Sequence, residues 1–303
     1  CYNFFKYNFK IMTKISKNTS KNIIVFYHEK CLDGFGSAYT AWKKFKNRAE
    51  YIALSYSVTG EDVLKDKKIK ISDLKNKEIY FIDFCLNETE IRKVEKVAKK
   101  LVVIDHHIGK KELVESLANS IFGNGVSGAY LAHEYFFPKK KIPKLIKYIS
   151  IGDTYSFSKN EKARRGEENI IAYLATLDFD FKTFSKAEKD FEDKNKFLEI
   201  EKIAKILRTN YLKLVENQLE DAKLINFEGY KVYAINASGT FRNELGHILA
   251  QKAKTFALIY RLGDGYLNVS LRGEGKVDLS KLAKKYNGGG HFDAASFRST
   301  DGK

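Results

Sequence analysis

Asp105, His106 and His107 stand in a row directly behind the apolar run Leu101-Val102-Val103-Ile104, so a carboxylate and two imidazoles leave the end of a buried strand together. Carboxylate and imidazole are the side chains that hold divalent cations such as manganese or magnesium. Three further segments deliver the same chemistry. Ile23 to Tyr27 reads as a strand that presents His28, then Cys31, then Asp33 followed by Gly34, with a helix expected from about Phe35. Ile79 to Ile82 delivers Asp83, and Leu145 to Ile151 reads as a helix that ends at Gly152 and presents Asp153. Singly, each has an ordinary structural reading: a turn or cap for Asp83 or Asp153, a satisfied imidazole for His28, a small core residue for Cys31. Jointly they are harder to explain that way, because right-handed crossovers put the carboxyl ends of consecutive parallel strands on one edge of a sheet.

The elements that must position these residues alternate along the chain. From about residue 23 to 160, apolar strands alternate with helical stretches, including Ser127 to Phe137 and the helix that Asn87 would cap over Glu88 to Lys99. This predicts an α/β fold with a mostly parallel sheet flanked by helices. Residues 161–220 read as a helical connector, Glu167 to Leu177 and then one long stretch from Glu188 to Leu219, with apolar positions at helical spacing. Residues 221–303 read as a smaller α/β domain. Its strands are Ala222 to Phe227 and Lys231 to Asn236 around Gly229, and Phe256 to Arg261 and Tyr266 to Arg272 around Gly263-Asp264-Gly265. Helices are expected over Asn243 to Lys252 and Val277 to Tyr286. The three glycines Gly288, Gly289 and Gly290 would let backbone amides approach an anion, and a helix starting near His291 would aim its positive end there. His133 and His247 fall in helices outside these groups and read as structural or surface residues.

Composition narrows the classes. A chain of 303 residues with 44% hydrophobic content can bury a sizeable core. No run approaches the roughly 20 apolar residues of a membrane span, and no signal-peptide pattern is present at the start. Three cysteines, Cys1, Cys31 and Cys85, form no even disulfide framework, so the expected compartment is a reducing cytosol. The formal charge of +16 favours an anionic partner without naming one, since Lys runs such as Lys139-Lys140-Lys141 are ordinarily solvated faces. Met12 is the only methionine and is expected to start translation, the alternative being an aromatic N-terminal arm. Residues 1–22 read as a flexible lead.

The motifs His28-Glu29-Lys30-Cys31-Leu32-Asp33-Gly34, Asp83, Asp105-His106-His107 and Asp153, in this order, resemble those of the DHH phosphoesterase superfamily. Gly288-Gly289-Gly290-His291, continuing to Ala294-Ala295-Ser296-Phe297, resembles the signature of the DHH-associated domain that follows the catalytic domain in many members, so the resemblance spans about residues 23 to 298. It implies a catalytic domain at 23–160 and a substrate-binding domain at 221–303. It also implies two divalent ions, manganese above all, with magnesium possible. His28, Cys31 and Asp83 would surround one ion, and Asp33, Asp83, His106 and Asp153 the other, with Asp83 bridging. His107 would face the scissile phosphate and Asp105 would orient a neighbouring ligand by hydrogen bonding. Gly288, Gly289, Gly290, His291 and Arg272 would hold the rest of the substrate as the second domain closes about the connector.

The implied activity is hydrolysis of a phosphoester by a hydroxide activated between the two ions, on short single-stranded oligonucleotides or small nucleotides. Polyphosphate and nucleoside bisphosphates are alternative substrates, and a catalytically silent nucleotide or nucleic-acid binder is the competing class. Cys31 departs from the pattern, because many relatives carry Asp there. A thiolate would draw zinc or iron to that ion site, whereas a protonated thiol would leave a weaker site completed by water. Activity with manganese is expected to survive.

Overall fold

A computed structural model describes residues 21–55, 63–263, 265–290 and 292–299. The N-terminal lead with Met12, Asp264 of the second hairpin, and His291 lie outside the described residues. The chain forms two compact units, residues 1–208 and 209–303.

In the first unit the order is β1 (Ile23–His28), α1 (Leu32–Phe45), β2 (Ala49–Leu54), α2 (Val63–Asp66), β3 (Glu78–Ile82), α3 (Glu88–Val97), β4 (Lys100–Asp105), α4 (Lys111–Glu115), β5 (Ile121–Phe122), α5 (Gly128–Phe136), α6 (Lys144–Thr154), α7 (Glu161–Leu174) and α8 (Phe181–Glu192). Then α9 (Lys194–Leu219) runs from this unit into the next. The sheet has the order β2-β1-β3-β4-β5, and every pairing is parallel. The α/β class and parallel sheet expected from the sequence are what forms.

Both faces of this sheet are covered, which is why its strands are near-continuous apolar runs. On one face Phe26 and Phe81 stack at 4.7 Å among Leu54, Leu74, Ile79 and Val103. On the other, Val25, Tyr80, Ile82, Val102 and Ile104 meet Ala41 and Phe45 of α1 and Leu131 and Phe136 of α5. Each fully buried side chain of this size contributes about 1.5–3 kcal/mol. A third cluster joins Phe35 and Tyr39 of α1 to Ile149 of α6, Leu174 of α7, Phe184 and Phe191 of α8, and Ile200 and Ala204 of α9.

Four local expectations are corrected. The first helix begins at Leu32, not near Phe35, so Asp33 sits in its opening turn. The sixth helix runs through Gly152 to Thr154 and ends at a left-handed Tyr155, so Asp153 is helical. The single stretch from Glu188 to Leu219 is broken at Asp193, whose Oδ1 accepts from the amides of Asn195 and Lys196 and so starts α9. The fourth correction lies in the second unit.

That unit contains β6 (Lys223–Phe227), β7 (Tyr230–Asn236), α10 (Arg242–Ala253), β8 (Phe256–Leu262), β9 (Leu267–Gly273), α11 (Leu279–Lys284), β10 (Gly289–Gly290) and β11 (Ala294–Ser299). Its six-stranded sheet has the order β10-β11-β9-β8-β7-β6, antiparallel except for the β7–β8 pair. The segment after His291, expected as a helix, is a strand. Ala295 and Phe297 are buried while Ser296 and Arg298 are exposed, the two-residue period of a half-buried strand. No helix among the described residues is long and apolar enough to cross a membrane.

Candidate metal centre

Aligned strand register brings the polar strand ends together. Tyr27 pairs with Ile82, and Ile82 with Ile104, so the next residues, His28 and Asp83 with Asp105, emerge on one edge. Asp83 leaves β3 with φ of 54°, a left-handed conformation that disfavours a side chain, while its amide donates to the Ile104 carbonyl at 2.9 Å. Strain of this kind persists where surrounding structure enforces it, and such positions cluster at functional sites. The turn aims the carboxylate two ways. Oδ2 lies 3.8 Å from His28 Nδ1, and Oδ1 lies 3.3 Å from His106 Nε2. His106 Nε2 is also 3.4 Å from Asp153 Oδ2 and 3.8 Å from Asp33 Oδ2.

Asp33 is fixed by a feature the motif reading did not contain. Its Oδ2 accepts from the Gly128 amide at 2.8 Å and its Oδ1 from the Ala129 amide at 3.0 Å, both at the N-terminus of α5. Helix N-termini favour negative charge, so α5 both orients this carboxylate and complements it. A Cβ on Gly128 would lie 2.6 Å from Asp83 Cβ, and a Cβ on Gly34 only 2.1 Å from the His28 carbonyl. Both positions therefore need glycine for the close approach. The Ser127-Gly128 pair was the available signal, a helix cap followed by a residue without a side chain.

Asp105 acts as a clamp. Its Oδ1 accepts from the amides of His106 at 2.8 Å and His107 at 3.3 Å, and meets His107 Nδ1 at 2.7 Å. The His107 ring is thereby held 4.5 Å from that of His106. Cys31 sits at the N-cap of α1. Among the described residues three donor groups form, each with its donor atoms within 4.8 Å of one another: His28, Cys31 and Asp83; Asp33, His106 and Asp153; and Asp83, Asp105, His106 and His107.

Electrostatics shows what the cluster requires. Asp33, Asp83 and Asp105 are at most 1% exposed, and the half-buried Asp153 adds a fourth carboxylate to the cluster. Burial, then the charges of Asp33, Cys31, Asp153 and Asp105, pushes the Asp83 carboxyl well above its usual range. Burial and Asp33 push Asp153 up to about 7, and burial with Asp33 pushes the Cys31 thiol up to about 11. Burial and neighbouring His107 lower His28. Burial would lower His107 as well, but the hydrogen bond and charge of Asp105, with Asp153 and Asp33, raise it. Buried Oδ2 atoms of Asp83, Asp105 and Asp153 accept no hydrogen bond among the described residues. Uncompensated buried carboxylates are costly, and a multivalent cation removes that cost. The geometry fits one: metal–oxygen distances of about 2.1 Å in octahedral coordination put neighbouring donors about 3 Å apart, close to the spacings around His106.

Arg272, Gly288, Gly289 and Gly290 belong to the second unit. Arg272 donates from Nε and Nη2 to Asn243 Oδ1 and from Nη1 to the Leu271 carbonyl. The glycines permit β10 to close onto β11: a Cβ at Gly288 would lie 2.3 Å from the Ser296 carbonyl oxygen, and one at Gly290 would lie 2.4 Å from that of Ala294.

Residues 231–303 match the DHHA1 domain family. The chain is 28% identical over 294 residues to an uncharacterised protein of Acanthamoeba polyphaga mimivirus, covering 90% of this chain and 66% of the relative. It is 23% identical over 301 residues to oligoribonuclease NrnB of Bacillus subtilis, covering 91% and 72%. The solved DHH domain of a member of a ribosomal-protein family superposes with a TM-score of 0.55 at 15% identity, covering 91% of this chain and 82% of that one. Residues 231–303 thus match a DHHA1 domain, and the chain is similar over most of its length to an oligoribonuclease and in fold to a solved DHH domain. The chain spans about two thirds of the viral relative's length.

Proposed function

We propose that this chain is a divalent-metal-dependent phosphoesterase acting on short oligonucleotides or small nucleotides. The observation that carries the reading is Asp83, whose two oxygens face His28 on one side and His106 on the other. His28, Cys31 and Asp83 are assigned to one ion and Asp33, His106 and Asp153 to the second, with Asp83 joining that second set through Oδ1, 3.3 Å from His106 Nε2. Manganese or magnesium ions bound there would neutralise nonbridging phosphate oxygens and activate a water for in-line attack.

The protein's own residues do the rest. The α5 amides hold Asp33 in place, and the strained turn at Asp83 aims both its oxygens inward. Asp105 locks the His107 ring, so that its other nitrogen addresses the scissile phosphate without reorganising. Gly288, Gly289, Gly290, His291 and Arg272 are proposed, from the family resemblance alone, as substrate-binding residues of the second unit. Likeness to an oligoribonuclease supports short oligoribonucleotides as the substrate class.

Manganese-dependent turnover of bis(p-nitrophenyl) phosphate tests the activity. A panel of short RNAs, cyclic dinucleotides, nucleoside bisphosphates and polyphosphate, each assayed with manganese and with magnesium, tests the substrate. Binding without turnover of any member would make the chain a silent nucleotide binder and contradict the proposal.

A further inference from the structure

Beyond the metal centre, one residue of the first unit is placed at odds with its chemistry. Tyr155 ends α6 two residues after Asp153, with φ of 53° and ψ of 27°. Glycine or asparagine suits that left-handed position, and a bulky aromatic there is an outlier held against its preference. The ring is not buried in exchange, being 58% exposed. It is, however, supported. Phe157 packs edge-on against it with centroids 6.0 Å apart at 76°, and the Arg164 guanidinium lies 5.6 Å over the Phe157 ring. Arg164 is held by Glu168 at 2.9 Å within α7, and the Ser158 amide donates to Glu167 at 2.7 Å, so the loop is tied to α7 at Ser158. A strained backbone and an exposed aromatic ring backed by Phe157, itself beneath the Arg164 guanidinium, thus follow Asp153 of the metal centre in sequence.

We propose that Tyr155, backed by Phe157 and Arg164, is a stacking platform for a nucleobase of the substrate; this rests on the phosphoesterase reading and narrows it to base-bearing substrates. An aromatic face gives a polyphosphate chain nothing, whereas any base has a π-face to lay on it, with little regard to sequence. Arg164, over the Phe157 ring, stiffens that support from behind. Separation from Asp153 by a single residue keeps the ring within one nucleoside's reach of a phosphate at the metal centre.

The test compares wild type, Tyr155→Gly and Tyr155→Trp. Glycine removes the ring and relieves the backbone, while tryptophan keeps an aromatic face. Each is assayed with manganese on an RNA dinucleotide and on its abasic counterpart, and by quenching of a 2-aminopurine dinucleotide on binding. The expected result is that Tyr155→Gly lowers the preference for the base-bearing substrate at least about fivefold, mainly through KM, and loses quenching, with melting temperature unchanged or raised. Tyr155→Trp retains both. Equal loss on both substrates, or quenching that survives Tyr155→Gly, overturns the platform. If wild type hydrolyses neither substrate, the phosphoesterase reading fails, and quenching alone then judges the platform, which wild-type binding without quenching would refute.

Discussion

Gly128→Ala is a one-methyl change with a large expected effect. The added Cβ would lie 2.6 Å from Asp83 Cβ, 3.0 Å from Asp83 Cα and 3.1 Å from Asp33 Oδ2. Carbon atoms in contact prefer about 3.5–4.0 Å, so roughly 1 Å must be recovered by moving α5 or the Asp83 turn. Neither is soft: the turn is already left-handed, and the start of α5 is tied to Asp33 by two amides. Overpacking of this kind costs about 1–3 kcal/mol, offset in part by up to about 1 kcal/mol from replacing glycine in a helix. The expected net is a loss of about 1–2 kcal/mol, or a few degrees in melting temperature. Activity suffers more, because a 1 Å misplacement of reacting groups can cost about 100-fold. The assays are thermal unfolding and manganese-dependent kcat. Gly166→Ala is the control, since nothing lies within 4 Å of its added Cβ; it should leave stability equal or improved. A Gly128→Ala enzyme within threefold of wild type, melting at the same temperature, would refute the account of how α5 meets the centre.

Three further outcomes are expected. Asp105→Asn should retain metal, measured by elemental analysis, while kcat falls about 10–100-fold, because the charged anchor of His107 is lost; unchanged kcat would contradict it. His133 is 3% exposed, and burial with the charges of Lys43 and Lys140 holds its imidazole down at about 4. The unfolded chain, titrating near 6.5, takes up a proton first as pH falls, so this contribution is complete above about 6.5 and is lost on the way to 4. That loss is on the order of 2–3 kcal/mol, and urea unfolding of His133→Gln should show a correspondingly shallower dependence over this window. Wild type should turn over with manganese despite Cys31, the other donors of both sets being present. A manganese-dead wild type rescued by Cys31→Asp would reverse that expectation.

The strands and their polar ends were legible because continuous apolar runs such as Ile79 to Ile82 have few other uses, and parallel connectivity then forces the ends together. Asn87 was legible as a cap, and its Oδ1 accepts from the Glu90 amide at 2.9 Å. What stayed hidden depends on contacts remote in sequence. Asp33 and the Gly128 and Ala129 amides are about 95 residues apart; the Ser127-Gly128 pair marks a helix start, but nothing local says which carboxylate it meets. Gly152 is a packing glycine inside α6, not a terminator: Ile171 of α7 lies 3.0 Å from where its Cβ would stand. A helix starting near His291 is the local expectation, but Ala294–Ser299 pairs with β9 as a strand, a contact distant enough in sequence to be invisible locally.

The central claim is that one buried carboxylate, Asp83, is shared by two metal ions. Counting manganese bound per chain in wild type and Asp83→Ala, by calorimetry with parallel hydrolysis of a short RNA, tests it most directly. Two ions and turnover in wild type, with both lost in Asp83→Ala, is the predicted result; full manganese binding and unchanged hydrolysis in Asp83→Ala would contradict it.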